Sequence, residues 1–125
     1  MPNKKKVLIF DDDDMHLYTT KELLQNDGVE VSTHKNWLGA TKRLRDFQPD
    51  LVLLDINMPG LSGDKLSEII KPYCDSIRAP IVFHSSNDEE CLRELVKTHG
   101  VRGYICKGNI IDLRSKVCQY LKLQA

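Results

Sequence analysis

No stretch of this chain is apolar enough to cross a bilayer. Its strongest apolar runs, Val7-Leu8-Ile9-Phe10 and Leu51-Val52-Leu53-Leu54, stop far short of the roughly 20 residues a spanning helix needs. Met1-Pro2-Asn3 leads into Lys4, Lys5 and Lys6 rather than into the core of a signal peptide. The expectation is a cytoplasmic protein with no membrane partner. Excess charge is also missing: 18 lysines and arginines balance 18 aspartates and glutamates, so nothing draws this chain alone onto nucleic acid. Cys74, Cys91, Cys106 and Cys118 lie far apart, with no paired-cysteine motif and no histidine at zinc-ligand spacing. They read as buried thiols of a reduced compartment. There is no internal repeat, low-complexity segment or linker, and the length suits one core, so residues 1–125 are expected to form a single domain.

What is present alternates between two periods. Val7 to Phe10, Leu51 to Leu54, Ile81 to Phe83 and Gly103 to Cys106 are continuous apolar or near-apolar runs, as strands buried on both faces require. Glu30-Val31-Ser32-Thr33 alternates, as an edge strand does. Between them the spacing is helical. Leu17, Thr20, Leu23 and Leu24 form one stripe before Gly28, and Trp37, Ala40, Thr41, Leu44 and Phe47 a second before Pro49. Leu66, Ile69, Ile70 and Tyr73 form a third, Cys91, Leu92, Leu95, Val96 and His99 a fourth, and Ile110, Leu113, Val117, Tyr120 and Leu121 a fifth. Five strands alternating with five helices predict a doubly wound α/β domain on a parallel sheet.

In such a sheet ligands bind beyond the carboxyl ends of the strands. Asp11 and Asp12 follow the first strand, Asp55 the third, Ser85 the fourth and Lys107 the fifth. Converging carboxylates repel unless a cation lies between them, and a site of hard oxygen ligands suits Mg²⁺. A carboxylate can also be a phosphoryl acceptor when a metal, an amine and a hydroxyl hold the transferred group. Asp55 ends the most apolar strand and is the candidate nucleophile, with Asp11 and Asp12 as a metal-holding pair. Asp13 and Asp14 fit the start of a helix instead. His84 precedes Ser85 on its strand, so it faces the other way and is expected to be packed rather than reactive.

These residues carry a resemblance over essentially the whole chain. Val7 to Asp13, the segment Pro49-Asp50-Leu51-Val52-Leu53-Leu54-Asp55-Ile56-Asn57-Met58-Pro59-Gly60 with Gly63, Pro80-Ile81-Val82 leading to Ser85, and Gly103-Tyr104-Ile105-Cys106-Lys107 resemble the receiver domains of two-component response regulators, chemotaxis regulators among them. The resemblance implies a flavodoxin-like sheet of strand order 2-1-3-4-5. It implies that Asp55 accepts a phosphoryl group from the phosphohistidine of a sensor histidine kinase or a histidine phosphotransferase, the domain promoting its own phosphorylation and dephosphorylation as a switch rather than serving as an enzyme. It implies that Asp12, Asp55 and the backbone carbonyl of Asn57 ligate Mg²⁺ and that Asp11 acts through water. Ser85 and Lys107 would hold the phosphoryl group, and Tyr104 would be the aromatic that turns when Ser85 moves.

Two positions depart from the family. Gly108 follows Lys107 where a proline after a cis bond is usual, and a cis bond before a non-proline residue costs about 2.5–4 kcal/mol, so a trans bond is expected. Asp14 stands where proline often opens the first helix, and an acid is favourable there too. Other functions fit less well. A flavin or nucleotide site needs a glycine- or hydroxyl-rich phosphate cradle where this chain has four acids. A dehalogenase-like phosphatase would place a second acid where Asn57 stands. A receiver that binds partners without phosphorylation would have no use for the whole set of Asp11, Asp12, Asp55, Ser85 and Lys107.

Overall fold

The computed structural model describes residues 4–122. Ten elements alternate along the chain: β1 (Lys6–Phe10), α1 (Asp14–Asn26), β2 (Glu30–His34), α2 (Ala40–Phe47), β3 (Leu51–Leu54), α3 (Gly63–Ser76), β4 (Ile81–Ser85), α4 (Glu89–His99), β5 (Gly103–Cys106) and α5 (Ile110–Lys122). The strands form one parallel sheet in the order β2-β1-β3-β4-β5, as expected.

Strand alternation divides the interior into two cores. Leu8, Phe10, Val52, Leu54, Ile81 and Phe83 face one way and pack with Ala40 and Leu44 of α2, Leu66, Ile70 and Cys74 of α3, and Leu92 of α4. Val7, Ile9, Leu51, Leu53, Val82 and Ile105 face the other way and meet Leu17 and Leu24 of α1 and Leu113, Val117 and Leu121 of α5. Every residue of β3 and β4 is buried, whereas β2, at the sheet's edge, buries only Val31. The other edge strand, β5, buries only Ile105, so its continuous run in the sequence does not mark burial on both faces as expected.

The helix ends follow their local chemistry. Asp13 caps α1, its carboxylate accepting from the N–H groups of Met15 and His16, and Asp14 lies in the first turn and pairs with Lys35 at 2.7 Å. Gly28 and Gly100 take the left-handed conformations (φ +84° and +65°) that end α1 and α4. The bond between Lys107 and Gly108 is trans, and Gly108 turns the chain at φ +96°.

Four expectations are corrected. Trp37 is not on α2: Gly39 at φ +75° breaks the backbone first, the helix starts at Ala40, and Trp37 is 44% exposed beside Gly60. Ile69 and Tyr73 lie on the outer side of α3, because its buried stripe is Leu66, Ile70 and Cys74 with Ser67 between. Of the four cysteines only Cys74 is buried, while Cys91 and Cys106 are half-buried and Cys118 is exposed. In α4 only Leu92 is fully buried, and in α5 Ile110 faces solvent.

Candidate functional site

The parallel sheet brings the ends of β1, β3, β4 and β5 to one edge, and backbone bonds fix the residues that follow. The Asp11 N–H donates to the His34 carbonyl, the Asp55 N–H to that of Phe10, and the Lys107 N–H to that of Ser85, at 3.1, 2.9 and 2.9 Å. The ladder thus continues one residue beyond each strand and aims three side chains into the same recess. Asp11, Asp55 and Ser85 are buried, while Asp12 and Asn57 are exposed at the mouth.

Ligand oxygens of Asp11, Asp12 and Asp55 lie within 4.8 Å of one another. The Lys107 ammonium, with a side chain 10% exposed, stands 2.8 Å from Asp11 Oδ2 and 3.1 Å from Asp55 Oδ2. Asp13 N–H donates to Asp11 Oδ1 and Asn57 N–H to Asp55 Oδ1. Burial pushes the Asp55 carboxyl above its ordinary pKa; Lys107 opposes this, and the neighbouring Asp11 charge adds to it. Burial works against the Lys107 charge as well, but its bond to Asp11 and the charges of both carboxylates overcome that and hold its pKa above the usual lysine value. One ammonium therefore serves two buried carboxylates and sits closer to Asp11, so Asp55 remains short of positive charge. A hard divalent cation among Asp11, Asp12 and Asp55 fits that deficit and that donor set.

Ser85 ends β4 with its hydroxyl 3.3 Å from Asn57 Nδ2, so the expected site residues Asp11, Asp12, Asp55, Asn57, Ser85 and Lys107 all gather at this edge. Tyr104 does not reach the carboxylates. It lies half-buried on the α4 side of β5, its ring 5.1 Å from the Lys116 ammonium. His84, beside Ser85 in sequence, points to the opposite face and is 4% exposed near His16, its pKa driven down to about 4 by burial, with Lys107 and His16 adding to the effect. Sequence reasoning missed Asn87, whose Oδ1 meets both Ser85 Oγ and Asn57 Nδ2. Its only sequence signal is an amide two residues beyond a site hydroxyl.

Gly63 completes the recess. A Cβ there would stand 1.8 Å from the Asp55 carbonyl oxygen, so only glycine lets α3 begin this close to the phosphoacceptor candidate.

Comparison with known proteins agrees with this geometry. Protein PilH of Pseudomonas aeruginosa is 28% identical over 102 residues, covering 82% of this chain and 84% of that one. The polar-differentiation response regulator DivK of Brucella anthropi is 29% identical over 107 residues with the same coverage. A CheY-like receiver domain from Methanospirillum hungatei superposes with a TM-score of 0.86 at 25% identity, covering 98% of this chain and 97% of that one. The profile of the response regulator receiver domain matches residues 7–117, and the chain belongs to that family.

Proposed function

We propose that this domain is a Mg²⁺-dependent phosphoacceptor that takes a phosphoryl group onto Asp55 from the phosphohistidine of a sensor histidine kinase or histidine phosphotransferase, in the cytoplasm. The observation that carries the reading is a buried carboxylate, Asp55, held by Lys107 and set within 4.8 Å of the ligand oxygens of Asp11 and Asp12. In the transfer, an Asp55 oxygen forms a bond to phosphorus as the donor's N–P bond breaks, and the imidazole leaves with the bonding pair. Mg²⁺, when bound, neutralises charge on the transferred group. Asp12, Asp55 and the Asn57 carbonyl would hold the ion directly, and Asp11 through water. Lys107 and Ser85 supply an ammonium and a hydroxyl for the phosphoryl oxygens. The domain thereby promotes its own phosphorylation and dephosphorylation, with no separate substrate turned over. The Klebsiella pneumoniae RstA receiver domain, 25% identical with a TM-score of 0.85, has been solved in a BeF3-activated form, which supports a search for the same state here.

Signal output follows from a population shift in which the modified state favours one arrangement of Ser85 and Tyr104. The face of α4, β5 and α5 would carry it to a partner, since Tyr104 and Val96 are half-buried there and Ile111 is 82% exposed.

The test is intact-mass spectrometry after incubation with acetyl phosphate and Mg²⁺. One added phosphoryl group is expected on wild type, none on Asp55→Asn, and little on Asp12→Ala. Labelling that persists in Asp55→Asn, or that ignores Mg²⁺ removal, refutes the mechanism.

A further inference from the structure

Ser85 is the hydroxyl that the phosphoacceptor reading assigns to the phosphoryl group, and here its hydrogen-bonding capacity is already full. A hydroxyl has one donor and two acceptor positions. Ser85 Oγ donates to Asn87 Oδ1 at 3.1 Å and accepts from Asn57 Nδ2 and from the Asn87 backbone N–H, each at 3.3 Å. Asn57 Nδ2 also donates to Asn87 Oδ1, closing a triangle across the gap between the β3–α3 and β4–α4 loops. The remaining amide group of Asn87 points at the first turn of α4, where Nδ2 donates to Cys91 Sγ at 3.6 Å. With Nδ2 held on α4, Oδ1 is kept toward Ser85.

We propose that Asn87 is a positioning residue that, with Asn57, clasps the Ser85 hydroxyl and withholds its proton from the phosphoryl group. The proposal rests on the phosphoacceptor reading and deepens it. The proton that bonds Asn87 Oδ1 is the only one Ser85 has to give. A phosphoryl oxygen on Asp55 can therefore accept from Ser85 only after the bond to Asn87 is broken. Asn87 thus opposes engagement, while Asn57 and Cys91 keep its amide in the opposing orientation. The clasp sets how readily the domain engages a phosphoryl group through side-chain amides that do not bond the carboxylates, Asn57 meeting Asp55 through its backbone N–H.

The experiment is titration with beryllofluoride in saturating Mg²⁺, followed by backbone amide shifts, on wild type, Asn87→Ala, Ser85→Ala and the double variant. Removing one competing hydrogen bond should tighten beryllofluoride binding by about 2- to 10-fold in Asn87→Ala. In the Ser85→Ala background the same change should have no effect, because no hydroxyl is left to compete for. That dependence separates the clasp from a general loosening of the loop, which would act in both backgrounds. Equal or weaker binding by Asn87→Ala, or the same tightening without Ser85, overturns the clasp and leaves the phosphoacceptor reading standing. Folded wild type that binds no beryllofluoride overturns that reading, and the clasp with it.

Discussion

Replacing Gly63 with alanine tests how the end of β3 and the start of α3 share space. By backbone propensity the change should help. Gly63 is the first residue of α3, and its φ lies outside the left-handed range. Gly→Ala at a compatible position stabilises by about 0.4–1 kcal/mol through the unfolded state. The contacts reverse the sign. The new Cβ would stand 1.8 Å from the Asp55 carbonyl oxygen, 2.6 Å from its carbon and 2.9 Å from Ile56 Cα, all backbone atoms that no rotamer change can clear. The helix start must therefore retreat by more than an ångström, which breaks the 2.8 Å bond from Gly63 N–H to the Ile56 carbonyl. Overpacking costs about 1–3 kcal/mol and the lost bond about 0.5–1.5 kcal/mol, so after the entropic gain a net loss of about 0.5–4 kcal/mol is expected. Gly28→Ala is the control: it carries left-handed backbone (φ +84°) with nothing within 4 Å of the added carbon, so it reports conformational strain alone. Urea unfolding at pH 7 measures both. The loss at Gly63 should be accompanied by weaker Mg²⁺ binding, because the atoms displaced belong to Asp55 and Ile56. Gly63→Ala that unfolds at the wild-type midpoint, or that matches wild type in Mg²⁺ affinity while destabilised, refutes the reasoning.

Burial, then Asp11, raises the Asp55 pKa above the ordinary 3.8 against the pull of Lys107, so the folded state holds this proton more tightly than the unfolded state. Its contribution to stability is present below pH 3.8 and is lost as pH rises through the folded value. Metal-free Asp55→Asn should therefore be more stable than wild type at pH 7 in urea, the gap closing toward pH 4, and a less stable variant at pH 7 would contradict this. His84 has the opposite linkage: with its folded pKa at about 4 against 6.5 ordinarily, wild type loses stability as pH falls from 6.5 toward 4. The full effect is about 3 kcal/mol, and His84→Leu should flatten that slope. Parallel pH profiles for the two proteins would argue against a buried neutral imidazole.

The strands were legible because two-sided burial leaves a contiguous mark: Val7 to Phe10 and Leu51 to Leu54 are apolar at every position, and every one is buried. The recess was legible for a related reason. A parallel sheet collects whatever follows its strands, so Asp11, Asp55, Ser85 and Lys107 could be placed together from their offsets alone. Helix faces were read less well. Ile69 and Tyr73 are apolar, yet α3 turns them outward, since large apolar side chains on a surface cost little and leave no distinct signal. Trp37 was assigned to a helix by its spacing from Ala40 and Leu44, whereas the positive φ of Gly39 settles the boundary. Asn87 escaped because an amide in a loop is ordinary composition. Its importance lies in the direction of two bonds, which no one-dimensional pattern contains.

The strand order has a consequence for how the site comes into being. β1 lies between β2 and β3, so the first 54 residues contain three strands that pair with one another before β4 joins the free side of β3. Synthesis delivers that portion first, since the N-terminal part of a chain leaves the ribosome before the rest. A route that docks β4 and β5 last gathers Asp11, Asp12 and Asp55 before Lys107 has arrived to offset them. The ammonium would then be the final piece of an acidic nest already built, and a divalent cation could stand in for it meanwhile. Refolding that speeds up with Mg²⁺ in wild type but not in Asp12→Ala would be the trace of that order of assembly.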